Sequence, residues 1–227
     1  MIAVTNVVKR YGPSTVLNDA TFHIANAQLT TILGPSGCGK STMLRCLNRL
    51  ERFDAGQITI GDVALTGGAA LSAGEDDALV QRVRSLVGLV FQNFNLFPCL
   101  TALENVEYAL NVKGTAGRKA RSEAARMLDR VDLTARRDFL PEKLSAGQKQ
   151  RVAIARALAG GCPVILADEP TANLDAQGGQ AILELFRDLA KEEDRGLFIV
   201  THDPKVRSIV DRRIHIYDGR IQPEINQ

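Results

Sequence analysis

The sequence predicts an α/β fold: a mostly parallel sheet, a β-rich beginning, and a helical segment inserted before the second half of the sheet. Three observations carry that expectation. Strand-sized apolar runs recur at Leu29 to Leu33, Val87 to Phe91, Val164 to Ala167 and Leu197 to Val200. From Val164 onward helix-length patterns separate the strands, the arrangement of a parallel sheet covered on both faces. Between Thr101 and Arg137 the apolar spacing changes to that of a helix.

Taken in order, Ile2 to Thr5 and the alternating Phe22 to Ile24 are strands of the β-rich beginning, followed by Leu29 to Leu33. A glycine-rich turn leads into a helix predicted from Ser41 to Leu50, then a strand around Gln57 to Ile60. Thr66 to Asp77, rich in Gly, Ala and acidic residues, reads as an exposed loop. Leu103, Val106 and Leu110, then Ala124, Met127, Leu128 and Val131, mark the helical part. The last third carries the strand Val164 to Ala167, a helix near Gln180 to Lys191, and the strands Leu197 to Val200 and Arg213 to Tyr217. The expected organisation is one domain over 1–227, with roughly 1–91 and 161–227 as the core and 92–160 as the helical subdomain.

A chain of 227 residues is long enough for one substantial core with a small subdomain and cramped for two large domains. With 45% apolar and 24% charged residues it is not disordered. The net charge of +2 lacks the basic excess of a nucleic-acid binder, so no nucleic-acid partner is expected. No run approaches the ~20 apolar residues of a membrane span, and Met1 to Lys9 has no charged stretch followed by an apolar one. A cytoplasmic location is therefore expected. Cys38, Cys46, Cys99 and Cys162 show neither paired nor metal-ligand spacing and read as reduced packing residues.

The first chemical motif is Gly34-Pro35-Ser36-Gly37-Cys38-Gly39-Lys40-Ser41, which fits GxxxxGK[ST] between an apolar strand and a helix. Glycines there let successive backbone N–H groups face a polyphosphate, and the helix presents its positive end to the same place. Lys40 would neutralise the β- and γ-phosphates and the Ser41 hydroxyl would ligate Mg²⁺. A glycine-rich turn before a helix would be the plainer reading, and the cradle by itself also suits a kinase or a GTPase.

The second motif is Asp168-Glu169 after Val164 to Ala167. A strand buried on both faces exposes its first polar groups at its carboxyl end, where such sheets bind ligands. Asp168 is placed to hold Mg²⁺, and Glu169 to polarise an attacking water. The two acids could otherwise cap the turn at Pro170. His202, in Thr201-His202-Asp203, follows the strand Leu197 to Val200 and leaves the sheet at the same edge, where a neutral imidazole could bond the γ-phosphate. His23 and His215 read as surface or packing residues.

The most specific segment is Pro141-Glu142-Lys143-Leu144-Ser145-Ala146-Gly147-Gln148-Lys149-Gln150-Arg151. Ser145 and Gln148 satisfy a capping-box pattern, so a helix begins here and continues through Ala153, Ile154, Ala157 and Leu158. Its free N–H groups would make a second anion site.

This segment resembles the LSGGQ signature of ABC-type ATPases, and the neighbouring motifs match that family in order over essentially the whole chain. The resemblance implies a P-loop NTPase core with a β-rich N-terminal subdomain and an inserted helical subdomain. It implies Gly34 to Ser41, with Thr42, as the Walker A loop and Gln92 as the Q-loop glutamine, placed at both the metal and the reacting phosphate. It further implies Leu144 to Gln148 as the signature, Asp168 and Glu169 as Walker B with its catalytic glutamate, Asn173-Leu174-Asp175 as the D-loop and His202 as the switch histidine. Tyr11 matches the aromatic that stacks on adenine. Ala146 departs from the pattern by replacing the first signature glycine. It would weaken phosphate binding if that position needs a positive φ, and it is tolerated if it is simply the first helical residue.

What the resemblance implies next is ATP with Mg²⁺, sandwiched between two copies, or two closely related ATPase chains, packed head to tail. The implied partner is an integral membrane permease whose coupling helix enters a groove near Gln92, with Phe94, Leu96, Phe97 and Leu100 as apolar contacts. That places the chain on the inner face of the membrane through the permease. Phe91 to Pro98 resembles the polar amino-acid uptake ATPases. Leu166 to Asp175, Thr201 to Pro204 and Asp218 to Arg220 resemble the lipoprotein-release and macrolide-export group, and export is the favoured direction. The end at Gln227, soon after the last predicted strand, leaves no room for the regulatory domain of some importers. A soluble ATPase of DNA repair, translation or iron–sulfur assembly is the competing class, disfavoured by the single Walker A loop and the lack of an extended heptad region.

Overall fold

The structure, a computed structural model, describes residues 1–192, 194–202 and 204–222. In chain order the elements are β1 (Ile2–Tyr11), β2 (Ser14–Ile24), β3 (Leu29–Leu33), α1 (Lys40–Leu47), β4 (Ala55–Ile60), β5 (Val63–Thr66), α2 (Ala73–Leu86), β6 (Val87–Val90), α3 (Ala102–Val112), α4 (Gly117–Arg130), α5 (Ala146–Leu158), β7 (Val164–Asp168), α6 (Ala176–Glu192), β8 (Gly196–Val200), β9 (Arg212–Tyr217) and β10 (Arg220–Gln222).

Two sheets form. An antiparallel one runs β2-β1-β4-β5, and a six-stranded one runs β10-β9-β3-β8-β7-β6. In the second, β3 pairs in parallel with β8 and β9, β7 with β8 and β6, and β10 turns back antiparallel to β9. All five residues of β3 and of β8 are buried, so neither strand alternates apolar with charged residues; β3 buries Thr30 and Thr31 among its apolar residues.

Because successive strand residues face opposite sides, β3, β7 and β8 divide between two cores. Leu29, Leu33, Ile165, Ala167, Leu197 and Ile199 pack with α3, α4, α5 and α6. Ile32, Val164, Leu166, Phe198 and Val200 pack with Met43, Leu44 and Leu47 of α1 and with the antiparallel sheet. The six-stranded sheet is thus a middle layer, and its carboxyl edge opens between the two covering layers.

Several expected elements change in extent. β1 and β2 are longer than the predicted strands because their solvent faces are polar and carry no apolar signal. The helix predicted to Leu50 stops at Leu47, with Asn48 as its cap and Arg49 at φ 52. The stretch 66–77 is not simply a loop: it ends β5 and starts α2, whose first turn is closed by a Ser72–Glu75 capping box. Only Val83 of α2 is fully buried, so the helix shows little periodicity, although Ser72-x-x-Glu75 announces its start. Cys38, Cys46 and Cys162 are buried as expected, whereas Cys99 is exposed.

Candidate functional site

The loop after β3 is shaped by what crowds it. A Cβ on Gly34 would lie 2.3 Å from the carbonyl oxygen of Ile216, and one on Gly39 would lie 2.7 Å from that of Val16. Gly39 also sits at φ 103, as the cap of α1, a backbone state that side chains disfavour. These two glycines let the loop settle between β9 and β2. Pro35, Ser36, Gly37 and Cys38 then line a hollow of about 290 Å³ with Ser14, Thr15, Val16, Asp218 and Gly219.

Lys40 opens α1 and folds back over its own loop. Its Nζ donates to the carbonyl oxygens of Gly34 at 2.9 Å and Pro35 at 2.8 Å, and lies 3.9 Å from Cys38 Sγ. An ammonium satisfied by neutral carbonyls is ready to exchange them for anionic oxygens, which bind it more strongly. Ser41 is exposed and Thr42 half-buried in the first turn.

One strand away, Asp168 closes β7. Since β8 alone separates β3 from β7, the helix following β3 and the end of β7 meet: Ser41 Oγ donates to Asp168 Oδ1 at 3.3 Å. Burial pushes the Asp168 carboxyl above its usual range, and Glu169 adds to that, while the Ser41 hydroxyl, Arg45 and Lys40 oppose it. A hydroxyl and a half-buried carboxylate whose charge is poorly solvated are the hard oxygen donors that suit Mg²⁺. Among the described residues no group of three His, Cys, Asp or Glu side chains could hold a metal by itself.

Glu169 adopts φ 46, an uncommon state for a side-chain-bearing residue, fixed by its N–H donating to Val200 O at 2.8 Å. Its Oε2 accepts from Thr201 Oγ1 at 2.9 Å and from the His202 N–H at 3.3 Å. Its Oε1 lies 2.8 Å from His202 Nδ1. If Nδ1 carries the proton that bonds the carboxylate, a neutral ring offers Nε2 only as an acceptor. Donation to a phosphate from this arrangement requires the imidazolium. Asp203 lies outside the described residues.

Gln92 is exposed just past β6, and its carbonyl oxygen accepts from Asn173 Nδ2 at 2.8 Å. The segment behind it is held by groups the sequence did not single out. Arg156 of α5 donates to Phe94 O at 2.8 Å and also to Asn95 O, both residues having positive φ. Buried Asn105 accepts from Phe97 N at 2.8 Å and donates to the carbonyls of Phe97 and Leu100. An asparagine amid a helical apolar stripe was the available signal.

Tyr11 is 44% exposed at the end of β1, and Lys9 Nζ sits 4.7 Å from its ring centroid while pairing with Glu51 at 2.7 Å. Ser145 caps α5, with its Oγ accepting from Gln148 N at 3.3 Å and Gln148 Oε1 accepting from Ser145 N at 3.0 Å. Ala146 is the first helical residue and has no positive φ, so alanine fits there. A Cβ on Gly147 would meet nothing within 4 Å, which leaves this helix end open. Asp175 Oδ1 accepts from Gly178 N at 3.2 Å in the first turn of α6.

The fold and this cradle define a P-loop nucleoside triphosphatase. A family model described as "ABC transporter" matches residues 17–172. The chain is 43% identical over 97% of its length to the L-cystine transport system ATP-binding protein TcyN of Escherichia coli, covering 88% of that protein. It is 42% identical over its full length to the glutamine transport ATP-binding protein GlnQ of the same organism, covering 91% of it. A solved structure of the ATP-binding cassette MJ0796, described as a dimeric post-hydrolysis state bound to ADP and Pi, superimposes with a TM-score of 0.84. That match has 37% identity and covers 98% of this chain and 97% of the other. The protein of that name from Methanocaldococcus jannaschii is 39% identical over 99% of this chain and 96% of its own length. The chain belongs to the ABC transporter family. It is an ATP-binding, ATP-hydrolysing subunit of such a transporter.

Proposed function

We propose that two copies of this chain, or this chain and a close relative, close head to tail on ATP, each nucleotide lying between Gly34–Ser41 of one protomer and Ser145–Gly147 of the other. The observation that carries this reading is the α5 end itself: Ser145 and Gln148 cap each other, and Gly147 stands open. A helix N-terminus with spare donors is an anion site, and a second protomer would supply the anion. The MJ0796 cassette structures, described as dimeric, support dimerisation.

In that assembly Lys40 exchanges its loop carbonyls for phosphate oxygens, and Pro35 to Gly39 contribute backbone donors. Tyr11, its ring fixed by Lys9, stacks on the base. Ser41, Asp168 and Gln92 would hold Mg²⁺, which supplies charge neutralisation when bound. Glu169 orients and deprotonates the attacking water, His202 donates to the transferring phosphoryl, and Asp175 of the D-loop stabilises the facing site. Loss of the bridging charge after hydrolysis lets the dimer open. Gel filtration of the Glu169→Gln chain with and without ATP tests the reading: an ATP-dependent doubling of mass is expected, and an unchanged monomer would sink it.

The output is taken up by a membrane permease. A mostly apolar cleft of about 300 Å³ lies between β6 and α3, lined by Leu89, Phe97, Tyr108, Ala109, Val112 and Lys113 among others. Phe97, Tyr108 and Val112 are 40%, 47% and 71% exposed, a patch suited to an inserted helix. Of the four contacts expected from sequence, Phe97 faces this cleft, whereas Phe94 and Leu96 pack on the core. No described helix is long and apolar enough to cross a membrane.

The relatives with a stated cargo support an amino acid as the solute, and the segment Phe91 to Pro98 supports uptake. Export is the second reading, favoured by Leu166 to Asp175 and Asp218 to Arg220. Reconstitution with a permease that co-purifies with this chain decides between them: with the chain on the outside of the vesicles, ATP-driven release of a preloaded amino acid toward the chain means uptake, and ATP-driven accumulation of solute in the lumen means export.

A further inference from the structure

The chain carries a second chemically suggestive pair, away from the nucleotide loop, whose lysine lines the edge of the cleft proposed above for the permease. Lys113, the cap of α3, reaches Cys162, which lies between α5 and β7 and is 0% exposed. The distance from Nζ to Sγ is 2.6 Å. An N–H···O hydrogen bond spans about 2.9 Å, and sulfur is a larger atom than oxygen, so a hydrogen bond to a thiol must be longer. The chain contains its own comparison: Lys40 Nζ and Cys38 Sγ stand 3.9 Å apart. A separation of 2.6 Å is too short for a non-bonded pair. It is the separation produced when one oxygen atom is inserted between nitrogen and sulfur.

The surroundings build the approach. A Cβ on Gly160 would sit 2.4 Å from Lys113 Cδ, so the missing side chain is what lets the lysine stem cross this turn. Arg195 Nη1 donates to Cys162 O at 2.9 Å and pins the cysteine backbone. Lys113 lines the open cleft of about 300 Å³, the side from which a small oxidant reaches the amine.

We propose that Lys113 and Cys162 are a modification site at which oxidation by dioxygen forms a covalent N–O–S bridge. The neutral amine and the thiol together lose four electrons to one dioxygen molecule. The O–O bond, one N–H bond and the S–H bond break, and N–O and O–S bonds form. One oxygen stays in the bridge and the other leaves as water with the two released hydrogens. Mild thiols reverse the step, placing it on the reversible part of the cysteine oxidation ladder. The bridge ties α3 to the strand β7 that carries Asp168.

The test is mass spectrometry of the full-length chain held in air-saturated buffer against the chain kept anaerobic with dithiothreitol. The oxidised chain should be about 14 Da heavier, one oxygen gained and two hydrogens lost, and dithiothreitol should remove the difference. Trypsin should release one cross-linked product containing Lys113 and Cys162. Lys113→Arg, which keeps the charge at an exposed helix end, and Cys162→Ser should both abolish it. Should the buried serine fail to fold, Lys113→Arg decides alone. An unchanged mass, a gain of about 16 Da on an unlinked cysteine, a loss of about 2 Da from a direct N–S bond, or a 14 Da gain surviving in Lys113→Arg would each overturn the proposal.

Discussion

Glu169 and His202 face each other across the carboxyl edge of the sheet, with Oε1 2.8 Å from Nδ1, while Thr201 Oγ1 holds the other carboxylate oxygen at 2.9 Å. β7 brings the carboxylate and β8 brings the other two. The carboxylate is turned toward its own chain in this state, and both oxygens are occupied. Catalysis by Glu169 requires that it give up at least one of these partners to a water on the γ-phosphate.

Glu169→Gln should therefore lower ATP turnover by about a hundredfold or more, the scale of a lost general base, with ATP affinity within a few-fold of the parent. Phosphate release and equilibrium nucleotide binding measure the two halves. Near-parental turnover would remove Glu169 from the base role.

Lys40→Ala should act on binding instead. A charged hydrogen bond contributes about 1.5–3 kcal/mol, so the ATP dissociation constant should rise at least tenfold by titration calorimetry. Folding should survive, because the described partners of the Lys40 ammonium all belong to its own loop. An unaltered dissociation constant would reject the cradle.

Ala146→Gly tests the departure in the signature. Alanine is the first residue of α5, and glycine in a helix costs up to about 1 kcal/mol. The melting temperature should fall by about 2–4 °C and turnover should hold. A turnover rise of several-fold would mean that the methyl group obstructs the phosphate after all.

Asp168 connects stability with function. Its carboxyl titrates above the usual range, chiefly through burial. A raised folded-state value means that the charged form disfavours the empty fold. The penalty is absent below the unfolded value of about 3.9, grows as pH rises through the folded value and is constant above it. Asp168→Asn should hence melt higher than the parent at neutral pH without nucleotide, the gap shrinking as pH falls toward 4, while Mg²⁺-dependent turnover is lost. A lower melting point for Asp168→Asn at neutral pH would contradict this.

Much of the site was legible in the chain because its signals are local. A phosphate loop needs glycines, a lysine and a hydroxyl within one turn between strand and helix, and Gly34 to Ser41 shows that spacing. Ser145 and Gln148 cap a helix three residues apart, and the pattern is readable wherever it occurs. Ser72 and Glu75 make the same pattern, but α2 buries too little for an apolar stripe to draw attention to it.

The sequence by itself determined the class of fold, the cradle, the signature helix and the order of the motifs, since each depends on neighbours along the chain. Tertiary structure alone decided which separate motifs meet. Ser41 and Asp168 come together because β8 inserts between β3 and β7, and Ser14 to Val16 and Asp218-Gly219 line the phosphate hollow because two hairpins converge on it. Those pairings follow from burying both faces of the sheet at once, a condition on the whole chain that no short window of residues expresses.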